Sequence, residues 1–283
     1  MNADFAPRHY LTVDVEDWFH SEEPDRSLWD DLESRVDGST RAVLELCAEA
    51  GVHGTFFVLG WVARRNPGLV RAIAAAGHEI GSHGSDHEFV YRQGPASFHE
   101  DVRRAREVLE DLVGAPVRGY RAPYFSIVAG TRWAYEVLAA AGHEYSSSVF
   151  PGANPRYGIP GHPQSPIRVE TPSGRSIWEI PITTCLSRIG CGGVYFRALP
   201  YRWFADWMGR LERRGRAAVF YIHPWELDPG KPKTRGPLSL RLRHQVGIRR
   251  TAGRLKRLLS SHAFGALAPA LVAGGELAAG ANS

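Results

Sequence analysis

One junction recurs along the chain and sets its architecture. Ala74-Ala75-Ala76-Gly77-His78-Glu79 and Ala139-Ala140-Ala141-Gly142-His143-Glu144 carry the same residues in the same order. Ala48-Glu49-Ala50-Gly51-Val52-His53 has the same shape. In each, a helix ends in a glycine able to take positive φ, and a strand follows. Repeated units of this kind build a parallel sheet with helices outside it, either a barrel or a doubly wound sheet. In both, chemistry gathers at the C-terminal ends of the strands.

The apolar pattern fills in the units between junctions. Strands are read over residues 9–15, 54–59, 78–82, 117–121, 145–149, 176–182 and 217–222. Helices are read over 40–50, 67–76, 131–141 and 200–214. The second of these has Asn66 as its cap and Pro67 in its first turn. A further helix follows a capping box of Ser97 and Glu100, with Val102, Ala105, Val108, Leu109 and Leu112 on one face. Two more helices, over 238–246 and 251–259, close the pattern.

With 283 residues the chain allows one large domain or two small ones. Its 43% apolar and 23% charged residues exclude a disordered chain, a collagen and a coiled coil. No apolar run is long enough for a transmembrane helix, and no signal peptide is visible at the N-terminus. Cys47, Cys185 and Cys191 lack metal-type spacing. Together these lead to the expectation of a cytoplasmic protein. The net charge of +4 hides an asymmetry, because ten basic residues and no acidic one lie between Asp228 and Glu276. That run suits a solvated helix face resting on an acidic body. Nucleic acid is not expected, since no recognised motif accompanies the charge.

The residues that can carry chemistry follow the strands. Asp14, Glu16 and Asp17 crowd the end of the first strand. Like charges this close repel unless a metal or a proton neutralises them, although an acidic surface loop has the same composition. Asp14 and Glu16 share a face if the strand continues. His83 and His87, four apart after the third strand, lie on one helical face or converge from a tight loop. With a carboxylate they would leave coordination positions open, as a hydrolytic metal site requires. Arg121 can pair with a carboxylate, and His223 emerges from an apolar strand, where a satisfied core histidine is the bland reading.

The order of TVDVEDW, HGSDH, RAPY and IHPWE, each after a strand, resembles the NodB-type polysaccharide deacetylases, carbohydrate esterase family four. The likeness runs from about Tyr10 to Leu267. By Val13 to Phe19, His223 to Asp228 and Leu240-Arg241-Leu242-Arg243-His244 the chain closely resembles a bacterial subgroup encoded with exopolysaccharide export and exosortase systems. The resemblance implies an α/β fold, a distorted (β/α) barrel over residues 1–230, with a basic helical extension over 231–273 packed on it and a disordered tail over 274–283. It implies a divalent metal, with zinc favoured and nickel, cobalt, iron or manganese also fitting. It assigns Asp14 as the catalytic base, Arg121 as its orienting partner, His83 and His87 as metal ligands, and His223 as the general acid. Pro123 and Tyr124 match the groove wall, with the Tyr124 backbone as oxyanion donor, and Trp225 is read as a further substrate contact.

Two departures matter. Where the family has adjacent aspartates, this chain has Asp14-Val15-Glu16-Asp17, so Glu16 is taken as the metal carboxylate and Asp17 as the alternative. Where the family often has an aspartate near the fifth strand, this chain has Ser146, which leaves His223 to find another partner. Glu226 and Asp228 are nearby in sequence. The implied function is hydrolysis of N-acetyl groups of an amino-sugar-containing exopolysaccharide or its lipid-linked precursor, with peripheral contact to a membrane or a lipid-linked glycan. A small-amide hydrolase resembling allantoinase, and a non-catalytic polysaccharide-binding or assembly factor, are the alternatives.

Overall fold

The computed structural model describes residues 9–20, 26–154, 156–233 and 237–268. Eleven strands are present among them: β1 His9–Val15, β2 Thr55–Val58, β3 Glu79–Ser82, β4 Gly119–Tyr120, β5 Tyr145–Ser146, β6 Ile167–Glu170, β7 Ser176–Glu179, β8 Thr184–Cys185, β9 Ile189–Gly190, β10 Val219–Ile222 and β11 Phe264–Gly265. The main sheet runs β10-β1-β2-β3-β4-β5-β7-β6 and is parallel except for the final β7–β6 pair. β11 pairs with the start of β1. β10 and β6 end the path, and the α/β sheet curls into a half-barrel, the distorted barrel expected from the sequence. The antiparallel β6, too short to show a period in sequence, ends one edge.

Nine α-helices among the described residues cover the sheet: α1 Val36–Ala50, α2 Gly60–Arg65, α3 Pro67–Ala75, α4 Pro95–Val113, α5 Ala134–Ala140, α6 Gly193–Ala198, α7 Tyr201–Glu212, α8 Leu238–Gln245 and α9 Ile248–Ser261. The repeated junction is real: Gly51, Gly77 and Gly142 all take positive φ, between 63° and 85°. The starts or caps of five helices differ from expectation, α9 among them, which begins at Ile248 rather than 251. Asp17 accepts the Arg35 and Val36 amides, so α1 begins four residues earlier than its apolar pattern suggested. α4 opens on Pro95, which places Ser97 inside the first turn, where its hydroxyl accepts the Gly94 amide. Asn66 makes no side-chain cap, because its amide group donates back to the Val62 carbonyl across a short helix the sequence did not suggest. α5 begins only at Ala134, after a separate helical turn.

The C-terminal extension packs on the body. α9 buries Ile248, Thr251, Leu255, Leu258 and Leu259 and packs against α1 and α6. Arg254 donates to the carbonyls of Phe196, Arg197 and Leu199 at 2.8–3.0 Å, closing the open C-terminal end of α6. Lys256 meets Glu49 at 2.9 Å. Residues 234–236 and 269–283, which include the tail over 274–283, lie outside the described residues. No described helix is long and apolar enough to cross a membrane.

Candidate active site

The C-terminal ends of β1, β3, β4 and β10 meet at a cleft of about 270 Å³. Asp14 sits on β1, and Glu16 follows it by two residues; both line the cleft and are buried. Asp17 turns the other way. Its carboxylate accepts the Ser34 hydroxyl at 2.6 Å and the amides of Trp18, Arg35 and Val36 at 2.9–3.2 Å. Those four bonds commit it to the start of α1, and Glu16 is the carboxylate that faces the histidines.

The Glu16 carboxylate lies 2.5 Å from His87 Nε2 and 3.8 Å from His83 Nε2. The ligand atoms of these three residues all fall within 4.8 Å of one another. His83 Nδ1 lies 2.9 Å from the Arg121 carbonyl, which can only accept, so the proton is on Nδ1 and the Nε2 lone pair faces Glu16. His87 comes in not from a helix but from a loop in which Gly84 and His87 both take positive φ. Burial works to raise the Glu16 pKa, but His87, His223 and His83 together hold it far below the usual carboxylate range. Burial lowers His83 to about 4, so it is a neutral imidazole near neutral pH. Two imidazoles and one ionised carboxylate, buried and convergent, are the donor set a divalent transition metal requires, and these residues fit it.

Arg121 is fully buried and holds Asp14. It donates to Asp14 at 2.8 Å, to Thr12 at 2.7 Å, and to the Ser147 carbonyl and hydroxyl at 3.0 and 2.8 Å. Its guanidinium lies 4.3 Å over the Phe57 ring. The planar fork is thereby held in one orientation, and Asp14 with it.

His223 finds its partner in Glu226, at 2.5 Å from Nδ1. Asp228 instead pairs with Arg35. Glu226 is also gripped by Arg197 at 2.5 Å, and Arg197 in turn donates to the Arg243 and Val246 carbonyls at 2.9 and 2.7 Å. Burial raises the Glu226 pKa, but Arg197 and then His223 bring it down to about 2. For His223 burial opposes the charge, yet Glu16, Glu226 and Asp14 outweigh it and raise the pKa to about 9. Its Nε2 lies 3.9 Å from Asp14 and 3.7 Å from Glu16, at the mouth of the same pocket. Glu226 is one of the two nearby carboxylates the sequence offered as this partner, whereas nothing in the sequence pointed to Arg197. The only signal was Glu226 three positions after His223.

The vacated family position is settled locally. Ser146 donates to Ser148, and the carboxylate opposite it in register is Glu179 on β7. Glu179 accepts the Ser148 and Val149 amides and the Tyr135 hydroxyl, away from His223.

The wall departs from expectation in two places. Pro123 is buried beneath it, while Ala122, Tyr124 and Phe125 line the cleft. Trp225 is 5% exposed, donates to Glu16 at 3.2 Å and stacks against both His223 and His244. It positions the histidine and the carboxylate rather than offering a sugar an open face. Tyr124 stacks on Phe89 at 4.1 Å and donates to the His20 carbonyl at 2.9 Å. His87, Tyr124 and Phe125 are non-glycine residues with φ of 52–56°, a strain of about 1–3 kcal/mol each that is concentrated at the cleft. Asn154, Arg156, Tyr157, Tyr195, Arg243 and His244 also line the cleft.

Residues 26–145 match the family model described as polysaccharide deacetylase, and residues 147–272 match one described as a domain of unknown function, DUF3473. A chitooligosaccharide deacetylase of Bradyrhizobium sp. is 32% identical over 118 residues, 41% of this chain and 51% of that protein. A peptidoglycan-N-acetylglucosamine deacetylase of Listeria monocytogenes is 32% identical over 88 residues, 31% of this chain and 19% of that protein. The chain thus spans about half the length, or less, of these curated relatives. Among solved structures, a Mycobacterium smegmatis protein assigned as a polysaccharide deacetylase superposes with a TM-score of 0.64 at 20% identity, over 96% of this chain and 91% of that one. The Puue allantoinase superposes with a TM-score of 0.58 at 16% identity, over 91% and 86%. At these identities the likeness is one of fold.

Proposed function

We propose that this chain, whose residues 26–145 belong to the polysaccharide deacetylase family, removes acetyl groups from N-acetylated amino sugars of an oligo- or polysaccharide by metal-assisted amide hydrolysis. The substrate we favour is an exopolysaccharide or its lipid-linked precursor, met in the cytoplasm. The single observation that carries the reading is the convergence of a carboxylate and a histidine on one buried donor set: Asp14 and His223, 3.9 Å apart, line the same cleft as Glu16, His83 and His87.

Glu16, His83 and His87 would hold the divalent metal, with zinc the favoured ion. Such a metal polarises an acetyl carbonyl and makes water acidic enough to attack it. Asp14, held by Arg121, is placed to take the proton of that water. His223, charged and held through Nδ1 by Glu226, presents Nε2–H to the leaving amine. Glu226 stays ionised because Arg197 grips it, so the imidazolium keeps one orientation while Nε2 gives up its proton. The charges that develop fall in a pocket walled by buried rings, where fixed dipoles act more strongly than in water.

The binding-only alternative rests on the loss of an acid partner at Ser146, and Glu226 fills that need from another strand end. The small-amide alternative shares the fold, so the substrate has to separate it from the first. The test is acetate release from chitooligosaccharides and allantoin turnover by chelator-stripped protein, before and after adding zinc. We expect metal-dependent acetate release and no allantoin turnover. Metal-loaded protein that releases no acetate from any N-acetylated glycan would overturn the reading.

A further inference from the structure

The two helices of the basic extension treat their apolar residues in opposite ways. α9 turns Ile248, Leu255, Leu258 and Leu259 into the core. α8 leaves Leu238 and Leu242 66% and 59% exposed, and Val246, the residue that ends it, 37% exposed. These are three of the six large apolar side chains left exposed among the described residues. Spaced four apart, they form one stripe along the helix. His244, on the opposite side, is buried and stacks on Trp225 at 4.9 Å. At about 100° per residue, Arg241 and Arg243 fall on the two borders of the stripe, and both are exposed. Arg249 and Arg250, exposed as well, stand in the first turn of α9. Arg241, Arg249 and Arg250 join no carboxylate among the described residues, and no acidic residue occurs between Asp228 and Glu276.

We propose that the outer face of α8 docks on an anionic lipid surface, with Leu238, Leu242 and Val246 entering the headgroup region and Arg241, Arg249 and Arg250 meeting lipid phosphates. An apolar stripe rimmed by arginine matches a surface that is apolar within and negative at its edge. Other occupants fit less well. A second copy docked through the same face would set arginine against arginine. The described chain ends at the far side of the sheet, where the Leu267 and Ala268 amides bond to Thr55 and Glu79 at the starts of β2 and β3. α8 lies instead at the cleft, by the C-terminal strand ends. The sequence after Ala268 also offers one acidic side chain, Glu276, for three arginines. The docking does not depend on the deacetylase reading, and only its use rests on that reading. Because α8 lines the cleft with Arg243 and His244, docking would hold a lipid-linked glycan one helix diameter, about 10 Å, from the cleft.

The test is co-sedimentation of the full chain with two kinds of vesicle, phosphatidylcholine alone and an equimolar mixture of phosphatidylcholine and phosphatidylglycerol. We expect the anionic vesicles to bind about a hundredfold tighter at low salt, from three arginines at about fivefold each. High salt should shrink that margin. Arg241→Gln with Arg249→Gln and Arg250→Gln should remove it, and the three lysine variants should keep it, because a lipid surface reads charge rather than guanidinium geometry. Leu238→Ser with Leu242→Ser should weaken binding to the anionic vesicles about tenfold or more. The same pair should leave the far-UV spectrum and acetate release from soluble chitotetraose unchanged. Absence of binding to anionic vesicles, or binding that survives both the glutamine and the serine variants, overturns the proposal. So does a dimer in light scattering that the serine variant dissociates, which assigns the face to a second copy. Vesicle binding without acetate release from any glycan spares the docking and sinks the deacetylase. Acetate release from soluble glycan without vesicle binding does the reverse.

Discussion

The two ends of β1 carry the same trio, one glutamate and two histidines, yet only one trio is built to hold a metal. At the C-terminal end stand Glu16, His83 and His87; at the N-terminal end stand His9, Glu212 and His262. Glu212 lies 3.1 Å from His9 and 2.9 Å from His262. The difference lies in where the protons are. His83 gives its Nδ1 proton to a carbonyl and keeps a lone pair on Nε2. His9 accepts the Ala218 amide on Nδ1 at 2.9 Å, so its one proton sits on Nε2 and points at Glu212. A metal there would have to displace that proton and the bond it makes. Proximity and residue type are equal at the two ends, and the neighbour of the second ring nitrogen decides.

The largest effect should come from emptying the trio that can ligate. His83→Ala with His87→Ala should abolish zinc uptake, measured by metal analysis after dialysis, and cost acetate release at least about a hundredfold. His9→Ala with His262→Ala should leave zinc stoichiometry unchanged; a loss of bound zinc in that pair would break the distinction. Next, His223→Ala should lower kcat by about 10²–10⁴. Glu226→Gln, which keeps the shape and removes the charge, should cost about 10–100-fold in the same assay. A stability effect follows. Arg197→Met strands the Glu226 carboxylate in the interior and should cost about 3–5 kcal/mol in urea unfolding. Adding Glu226→Gln should recover most of that stability and none of the activity.

The smallest effect sharpens the comparison from the other end of β1. Burial lowers the His9 pKa to about 4, against 6.5 for an ordinary histidine. The unfolded chain therefore binds a proton between these values that the folded chain refuses. The stability His9 contributes is complete above about pH 6.5 and is lost as the pH falls toward 4. Denaturant melts across that window should show a shallower loss in His9→Gln than in the wild type. His78, His143 and His244, lowered by burial to about 4, 3 and 3, keep a residual slope in both proteins.

What could be read in the sequence was what repeats or follows an apolar run. The helix-glycine-strand junctions gave the parallel sheet, and the strand ends gave Asp14, His83, Arg121 and His223. What could not be read depended on which way a side chain turns. Glu16 and Asp17 are adjacent acids, and only the bonds from Ser34, Arg35 and Val36 separate them. Glu226 and Asp228 were equal candidates beside His223 until the helical turn over Pro224–Leu227 folded the first back onto the ring. Arg197 reaches Glu226 from 29 residues away, so no local pattern announces it. The two-residue strands β8 and β9 are too short to show any period.

The position of β1 has a consequence for how the molecule comes into being. This first strand lies between β2 and β10, paired from Tyr10↔Val219 to Val13↔Ile222 on one side and from Thr12↔Thr55 to Val15↔Val58 on the other. A chain emerging from the ribosome has made Glu16, His83 and His87 within its first third, while one edge of β1 still waits for a strand more than 200 residues away. Such distant pairing is slow to close. His223, Glu226, Arg197 and the carbonyls that hold Arg197 all arrive with that late segment. The nascent protein therefore holds Glu16, His83 and His87 well before His223, and the four come together only when β10 locks beside β1.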